Sequence, residues 1–292
     1  MVLTLPTLRD IITFRETLSL IKRQPGVVSM DDSQEKSYYF LNTVARAVAV
    51  LDQFTGTDAE LGVAEISRRV GLHKSVTHRI LATLTDLGLL APGSVDGMYR
   101  LGVKSLELGL SYLRHSPIDR VSGIHLTRLA QQFPEFVFHV AILDGTEIVY
   151  QKSVSGPQAK WHPLTLGRRR PAYCTALGKV LLAYLSSAEL NSYLAKVELR
   201  PFTPNTITSR DMLVEELKKI RVQGWAFDNQ ESTERYCIGG PIRNHTGMVV
   251  ASLSLAGLKE HLDKYGQCHL VEKIKQVADD ISRDLGFSGS RA

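Results

Sequence analysis

Apolar residues recur at helical spacing at Leu41, Val44, Val48 and Leu51, which predicts a helix over Asn42–Phe54 with one buried stripe. The segment Thr55-Gly56-Thr57-Asp58 ends it. Val63, Ile66 and Val70 define a second helix, closed at Gly71, where glycine takes the left-handed C-terminal position without steric cost. Leu72 anchors the turn. Val76, Ile80, Leu84 and Leu87 then mark the inward side of a third helix from about Lys74 to Asp86, and its opposite side carries Lys74, Ser75, Thr77, His78 and Arg79. After Gly88, the runs Leu89–Ala91 and Met98–Leu101 pair as a hairpin across Pro92-Gly93 and Asp96-Gly97. Two short helices around a tight turn, followed by a hairpin, outline a winged helix-turn-helix, whose third helix is shaped for a DNA major groove. One detail disturbs the pattern. The slot at Thr77 ordinarily holds an apolar residue facing the preceding helix, and Val76 stands just before it, so the third helix is expected to be rotated slightly from this assignment.

Beyond the hairpin, Val103, Leu106, Leu110 and Leu113 continue an a/d-like stripe until Ser116-Pro117 breaks it. A connecting helix of this kind either packs on a second copy of itself or lies against its own chain. Pro117 to Phe133 reads as an amphipathic helix through Val121, Ile124, Leu126, Leu129 and Ala130. FVFHVAIL, Asp144-Gly145 and EIVYQKSV form a β-hairpin. A stretch rich in glycine, proline and arginine precedes the helix ALGKVLLAYL. Ser186 or Ser187 caps a short helix to Leu194, and Thr208-Ser209-Arg210-Asp211 caps a longer one to about Gln223. Strands follow at Trp225–Asp228, Cys237–Ile242 and Met248–Leu255, with a final helix over about Leu262–Leu285. Helices flanking an antiparallel sheet make the C-terminal part α+β. The predicted organisation is a loosely ordered arm at 1–37, with one short helix around Ile11–Ile21 or else arising from an upstream start codon, a winged helix at 38–101, a linker helix at 102–116 and an α+β domain at 117–287.

The chain has 292 residues, 43% of them hydrophobic, and a formal charge of +5, ordinary for a globular protein and only mildly basic. The position of the charge says more than its sum. Arg68, Arg69, Lys74, Arg79, Arg100 and Lys104 gather between Leu61 and Lys104 against Glu65, Asp86 and Asp96. Arg68, Lys74, Ser75, Thr77, His78, Arg79 and, on the hairpin, Arg100 are therefore the candidate DNA contacts, as donors to phosphates and base edges. Cys174, Cys237 and Cys268 are far apart and form no metal-ligand spacing, and no apolar run approaches the ~20 residues of a membrane span. The apolar N-terminus is interrupted by Arg9, Asp10, Arg15 and Glu16, unlike a signal peptide. These features predict a reduced, cytoplasmic protein with no metal, no cofactor and no membrane partner.

Catalytic chemistry finds little to stand on. The GRRRP segment suits an anion and Cys174 has a nucleophilic side chain, but no Gly-x-Ser-x-Gly turn accompanies them. His139 and His162 read as a strand histidine and a loop histidine rather than ligands, and Cys237 as a small buried residue. The chain is expected not to be an enzyme. Two readings of the winged helix stay open at this point: contact with double-stranded DNA, or recruitment of a protein partner beside a small-molecule-binding domain.

The blocks LNTVARAVAVLDQF, VAEISRRVGLHKSVTHRILATL and YRLG, followed in order by TALGKVLLAYL, GWAFDNQE and CIGGPIRNHTGMVVASLSLAG, resemble the IclR family of bacterial transcription regulators over about Leu41–Leu285. The resemblance implies a winged helix-turn-helix, a dimerising linker helix and a GAF-like effector-binding domain whose central sheet holds a small-molecule pocket. It also implies binding to operator DNA as a homodimer or dimer of dimers, with repression or activation of a catabolic operon in response to a small organic, sugar or aromatic acid. Carried across by motif, the effector positions are the backbone of Ala176 and Leu177 with Asp228, Cys237 and Ser254. A second serine that some members carry two residues after Ser254 is Ala256 here, which removes a carboxylate hydrogen bond and disfavours a pyruvate-like ligand. Arg170 of GRRRPAYCT offers an alternative carboxylate clamp and Tyr173 a stacking ring, unless these arginines are surface charge or meet DNA or a neighbouring subunit.

Overall fold

The computed structural model describes residues 40–56, 58–160 and 166–289; the arm at 1–37, the helix expected around Ile11–Ile21 and His162 lie outside them. The fold is α+β and separates into two compact units, one formed by residues up to Asp86 with Pro92–Arg100, the other by Leu87–Ala91 with the chain from Leu101 onward.

The first unit holds α1 (Asn42–Asp52), β1 (Leu61–Gly62), α2 (Val63–Val70) and α3 (Lys74–Asp86). The hairpin strands are β2 (Leu90–Pro92) and β3 (Met98–Leu101), and β1 adds to them in the order β1-β3-β2, a third strand that the apolar pattern does not reveal. Gly71 ends α2 at φ 67°, left-handed as the glycine predicted. Ser94 at the hairpin tip donates its backbone N–H to both Glu60 carboxylate oxygens at 2.9 Å and its hydroxyl to Oε1 at 2.7 Å, so the wing is tied to the entry of β1.

Two expectations fail here. In α1, Leu41, Val44 and Val48 are exposed, and the helix turns Val50 inward, with Phe54 buried just beyond it. In α3 the buried residues are Thr77, Ile80, Leu81 and Leu84, while Val76 is half-buried and Leu87 lies open to solvent. The inward face is thus shifted by one position at its start, the rotation that the Val76-Thr77 order signals.

In the second unit, α4 (Val103–Arg114) has no buried residue, and Ser116 caps α5 (Pro117–Gln132) by accepting from the Asp119 N–H. Ile124, expected inward on α5, is exposed; Ser122, Leu126, Leu129 and Ala130 make the buried face. Strands β4 (Val137–Asp144), β5 (Glu147–Ser155), β6 (Arg169–Pro171), β7 (Ala226–Asn229), β8 (Tyr236–Arg243) and β9 (Val249–Gly257) form one antiparallel sheet in the order β6-β5-β4-β9-β8-β7. The edge strand β6 comes from the segment rich in glycine, proline and arginine, for which the apolar pattern predicts no strand. Helices α6 (Ala176–Ala183), α7 (Ser187–Lys196) and α8 (Arg210–Gln223) belong to the core on one face. Helix α5, with α9 (Lys259–Tyr265) and α10 (Gln267–Asp284), builds the core on the other. The last two were expected as one helix; Gly266, at φ 79°, divides them.

Both sheet faces are covered, which is why β4 and β9 are almost continuously apolar. Phe138 and Val140 pack with Leu253 and Leu255 on the α5/α10 side. The intervening His139, Ser252, Ser254 and Ala256 alternate to the α6 side.

Candidate functional site

On α3 the exposed face carries Lys74, Ser75, His78 and Arg79. Among the described residues, none of Lys74, His78 and Arg79 has an ion-pair partner. The arginines of α2 differ. Arg68 bonds Glu65 at 2.6 and 3.1 Å, and Arg69 bonds Glu65 at 2.6 Å and Asp58 at 2.8 Å. Those hydrogen bonds hold the Glu65 carboxyl down to about 2, so the arginine charges of α2 are answered within the chain while those of α3 are not. On the wing, exposed Arg100 donates from Nε to the Pro92 carbonyl at 3.1 Å. A helix-turn-helix that leaves its second helix with unanswered cations and a hydroxyl is chemically complementary to phosphates and base acceptor edges.

The second site is a cavity of about 220 Å³ between the sheet and the start of α6. It is smaller than the ~300–1,000 Å³ of pockets for drug-sized ligands, so it suits a small molecule. Four adjacent strands supply its floor. His139 on β4 stands opposite Ser254 on β9; Ala256 on β9 stands opposite Cys237 on β8, which stands opposite Asp228 on β7. Thr175, Ala176 and Leu177 form the roof, with the Thr175 hydroxyl capping α6 by accepting from the Gly178 N–H at 3.1 Å. Gly239 permits this approach: a Cβ there would stand 2.9 Å from the Ala176 carbonyl oxygen. Tyr150, Arg168 and Arg170 line one side, and Ser232, Thr233 and Arg235 the other.

Burial sets the protonation of this floor. Asp228 is 2% exposed and its carboxyl is pushed up to about 7, chiefly by desolvation, while its Oδ1 accepts from the Glu231 N–H at 2.7 Å. His139 is pushed down to about 4 by burial and is neutral at ordinary pH; its ring meets Tyr150 edge-on at 5.1 Å and its Nδ1 has no partner. Burial also drives the Cys237 thiol well above its usual range and that of Cys174 to about 12. Neither is a thiolate nucleophile. On the roofing helix, the Nζ of Lys179, a fully buried cation on α6, donates to the Phe227 carbonyl at 2.6 Å and to Glu231. The Asp228 turn is thereby fastened to the helix that roofs the cavity.

Two family models cover most of the chain: the IclR helix-turn-helix domain over residues 43–92 and the bacterial transcriptional regulator IclR C-terminal domain over 110–283. The chain belongs to the IclR family. It is 36% identical over 248 residues to the HTH-type transcriptional regulator XynR of Escherichia coli, covering 85% of this chain and 98% of the relative. The Thermotoga maritima IclR crystal structure matches with a TM-score of 0.63 and 34% identity over 85% of this chain and all of that one. An IclR homologue from Microbacterium hydrocarbonoxydans, solved with 4-hydroxybenzoate, matches with a TM-score of 0.70 and 27% identity over 83% and 98% of the two chains. The protein is therefore an HTH-type transcriptional regulator and not an enzyme.

For this IclR-family chain, the cavity gathers Arg170, Ala176, Leu177, Asp228, Cys237 and Ser254, all anticipated from sequence. Tyr173 is a correction. It is 1% exposed, lies outside the cavity lining, donates its hydroxyl to the Arg200 carbonyl at 2.7 Å and stacks on Phe202. The tyrosine that reaches the cavity is Tyr150. Thr77 is the second correction: it is 0% exposed and its hydroxyl donates to the His73 carbonyl at 3.2 Å, so it does not lie on the open face of α3. Arg68 is exposed but paired to Glu65. Sequence reasoning missed His139, Arg168, Thr175, Ser232, Thr233 and Arg235. A signal existed for His139, the one polar residue inside the run FVFHVAIL; the loop residues become legible only once β7 and β8 pair around them.

Proposed function

We propose that this regulator reads double-stranded operator DNA with α3 as a homodimer or dimer of dimers and controls a catabolic operon. Its signal is a small organic, sugar or aromatic acid received in the α6 cavity, and it acts in the cytoplasm. The observation that carries the reading is the pairing of charges: Lys74, His78 and Arg79 stand exposed and unpaired on the second helix of the helix-turn-helix, beside Ser75. Arg100 on the wing is placed for a backbone phosphate. Support for a dimer comes from α4, which buries nothing in the single chain while Val103, Leu106 and Leu110 stand 73%, 60% and 46% exposed. Support for an acid comes from the cationic side of the cavity and from the relative solved with 4-hydroxybenzoate.

The test is operator retention with purified full-length protein on DNA from its own gene neighbourhood. Lys74→Ala and Arg79→Ala are expected to weaken binding at least ~10-fold and each to reduce the salt slope of log K by about one, while the circular dichroism spectrum stays that of the parent. Unchanged affinity in both variants refutes the assignment of α3 as the recognition helix.

A further inference from the structure

The three consecutive arginines, Arg168 just before the edge strand and Arg169 and Arg170 within it, are not equivalent. Side chains alternate along a strand, and β6 pairs Arg169 with Val149 and Arg170 with Ile148, which belongs to the α6-side core. Arg169 faces away from the cavity, where Asp144 and Glu147 answer its charge. Arg168 and Arg170 line the cavity, and among the described residues neither guanidinium has a hydrogen-bond or ion-pair partner. Two unanswered guanidinium groups at one side of a small cavity make a carboxylate subsite, since each offers paired N–H donors to a carboxylate.

The far wall asks for something else. Asp228 lies three strands away from His139 across the floor, on β7, and is 2% exposed. Its Oδ1 receives the Glu231 N–H, and the cation behind it, Lys179, is spent on Phe227 and Glu231. A carboxylate has room for about four donors, and an ionised one is an acceptor only. The cavity therefore presents a buried acceptor, with Ser232, Thr233 and Arg235 on the same side, opposite an anion clamp. His139, neutral and with an unpartnered Nδ1, adds another polar atom on the floor between them.

We infer that the effector is a hydroxy acid, with its carboxylate on Arg168 and Arg170 and a hydroxyl donated to Asp228. This rests on the cavity being the effector site, as proposed above, and narrows the ligand: acids without a hydroxyl leave Asp228 with no donor beyond the Glu231 N–H and the Cys237 thiol, and diacids set a second anion against it. A hydroxylated aromatic acid and an open-chain polyhydroxy acid share this chemistry.

Isothermal titration of the full-length protein at pH 8 with matched probes tests the inference: 4-hydroxybenzoate against benzoate, gluconate against hexanoate, and adipate as the diacid. One hydroxy acid is expected to bind about ten- to a hundred-fold tighter than its deoxy partner, the effect of one hydrogen bond to a charged group, and tighter than adipate; which pair responds identifies the aromatic or the aliphatic source. In Asp228→Ala the preference for the hydroxy acid falls to within twofold. Arg168→Ala and Arg170→Ala weaken a hydroxy acid and its deoxy partner equally. Asp228→Asn, which keeps the acceptor for Glu231, replaces the alanine variant if that fails to fold. Preference for adipate, no binding of either hydroxy acid, or a hydroxy-to-deoxy ratio untouched at Asp228 overturns the ligand class. Hydroxy-acid binding that none of the three positions alters overturns the cavity reading itself.

Discussion

Replacing Asp228 with asparagine should stabilise the ligand-free protein, increasingly so as the pH rises. The carboxyl is 2% exposed and its pKa is raised from 3.8 to about 7, mainly because burial penalises the charged form. The unfolded chain releases this proton near 3.8, while the native one holds it until about 7. The native state therefore binds more protons between those limits, and stability falls as pH rises through that window, staying at the lower level above it. Three units at about 1.4 kcal/mol each amount to about 4 kcal/mol at the upper end. Asparagine keeps an Oδ1 for the Glu231 N–H and has nothing to ionise. Scanning calorimetry of both proteins from pH 5 to 8.5 should show little difference at the acid end. At pH 8 the variant's effector-domain transition should lie roughly 8–15 °C higher, from about 2–4 °C per kcal/mol for a domain of this size. A difference in Tm that is the same at pH 5 and pH 8 refutes the reasoning. Gain of stability with loss of effector response is the expected combination for a strained binding group.

Three further outcomes follow from the packing. Thr77→Val should leave operator affinity within twofold and cost under ~1 kcal/mol, because the hydroxyl is buried on its own helix; a tenfold loss in a gel-shift titration would return Thr77 to the DNA face. Lys179→Met should cost about 3–5 kcal/mol in chemical unfolding because it strands a buried Glu231 carboxylate. The double variant Lys179→Met with Glu231→Met should lose clearly less, and equal losses would show that the pair's charges do not matter. Tyr173→Phe should leave effector titrations unchanged, since the ring lies outside the cavity; a tenfold change in effector Kd would place it inside.

Local pattern was enough for most of the elements. The αL glycine at Gly71, the cap at Ser209, the cap narrowed to Ser186 or Ser187, and the hairpin across Asp144-Gly145 depend on neighbours a few residues away, so spacing alone locates them. The helix-turn-helix and the α+β class were legible for the same reason, whereas the backbone positions at Ala176 and Leu177 were implied only by the family resemblance. Which face of each element is buried was another matter. Helical periodicity marks an apolar stripe on α1 but does not say what covers it, and in the single chain Leu41, Val44 and Val48 are open. Thr77 and Val76 compete for the same inward slot, and only packing against α2 and α1 assigns it to Thr77. The cavity is the strongest case: His139, Ser254, Cys237 and Asp228 come from four strands spread over about 115 residues of sequence, and only the sheet order β4-β9-β8-β7 sets them side by side. Charge identity followed the same rule. Three adjacent arginines are alike in sequence, yet pleating turns Arg169 to Asp144 and Glu147 and Arg170 to the cavity, which Arg168, just before the strand, also lines. Short-range chemistry wrote the elements; long-range pairing decided which side chains meet.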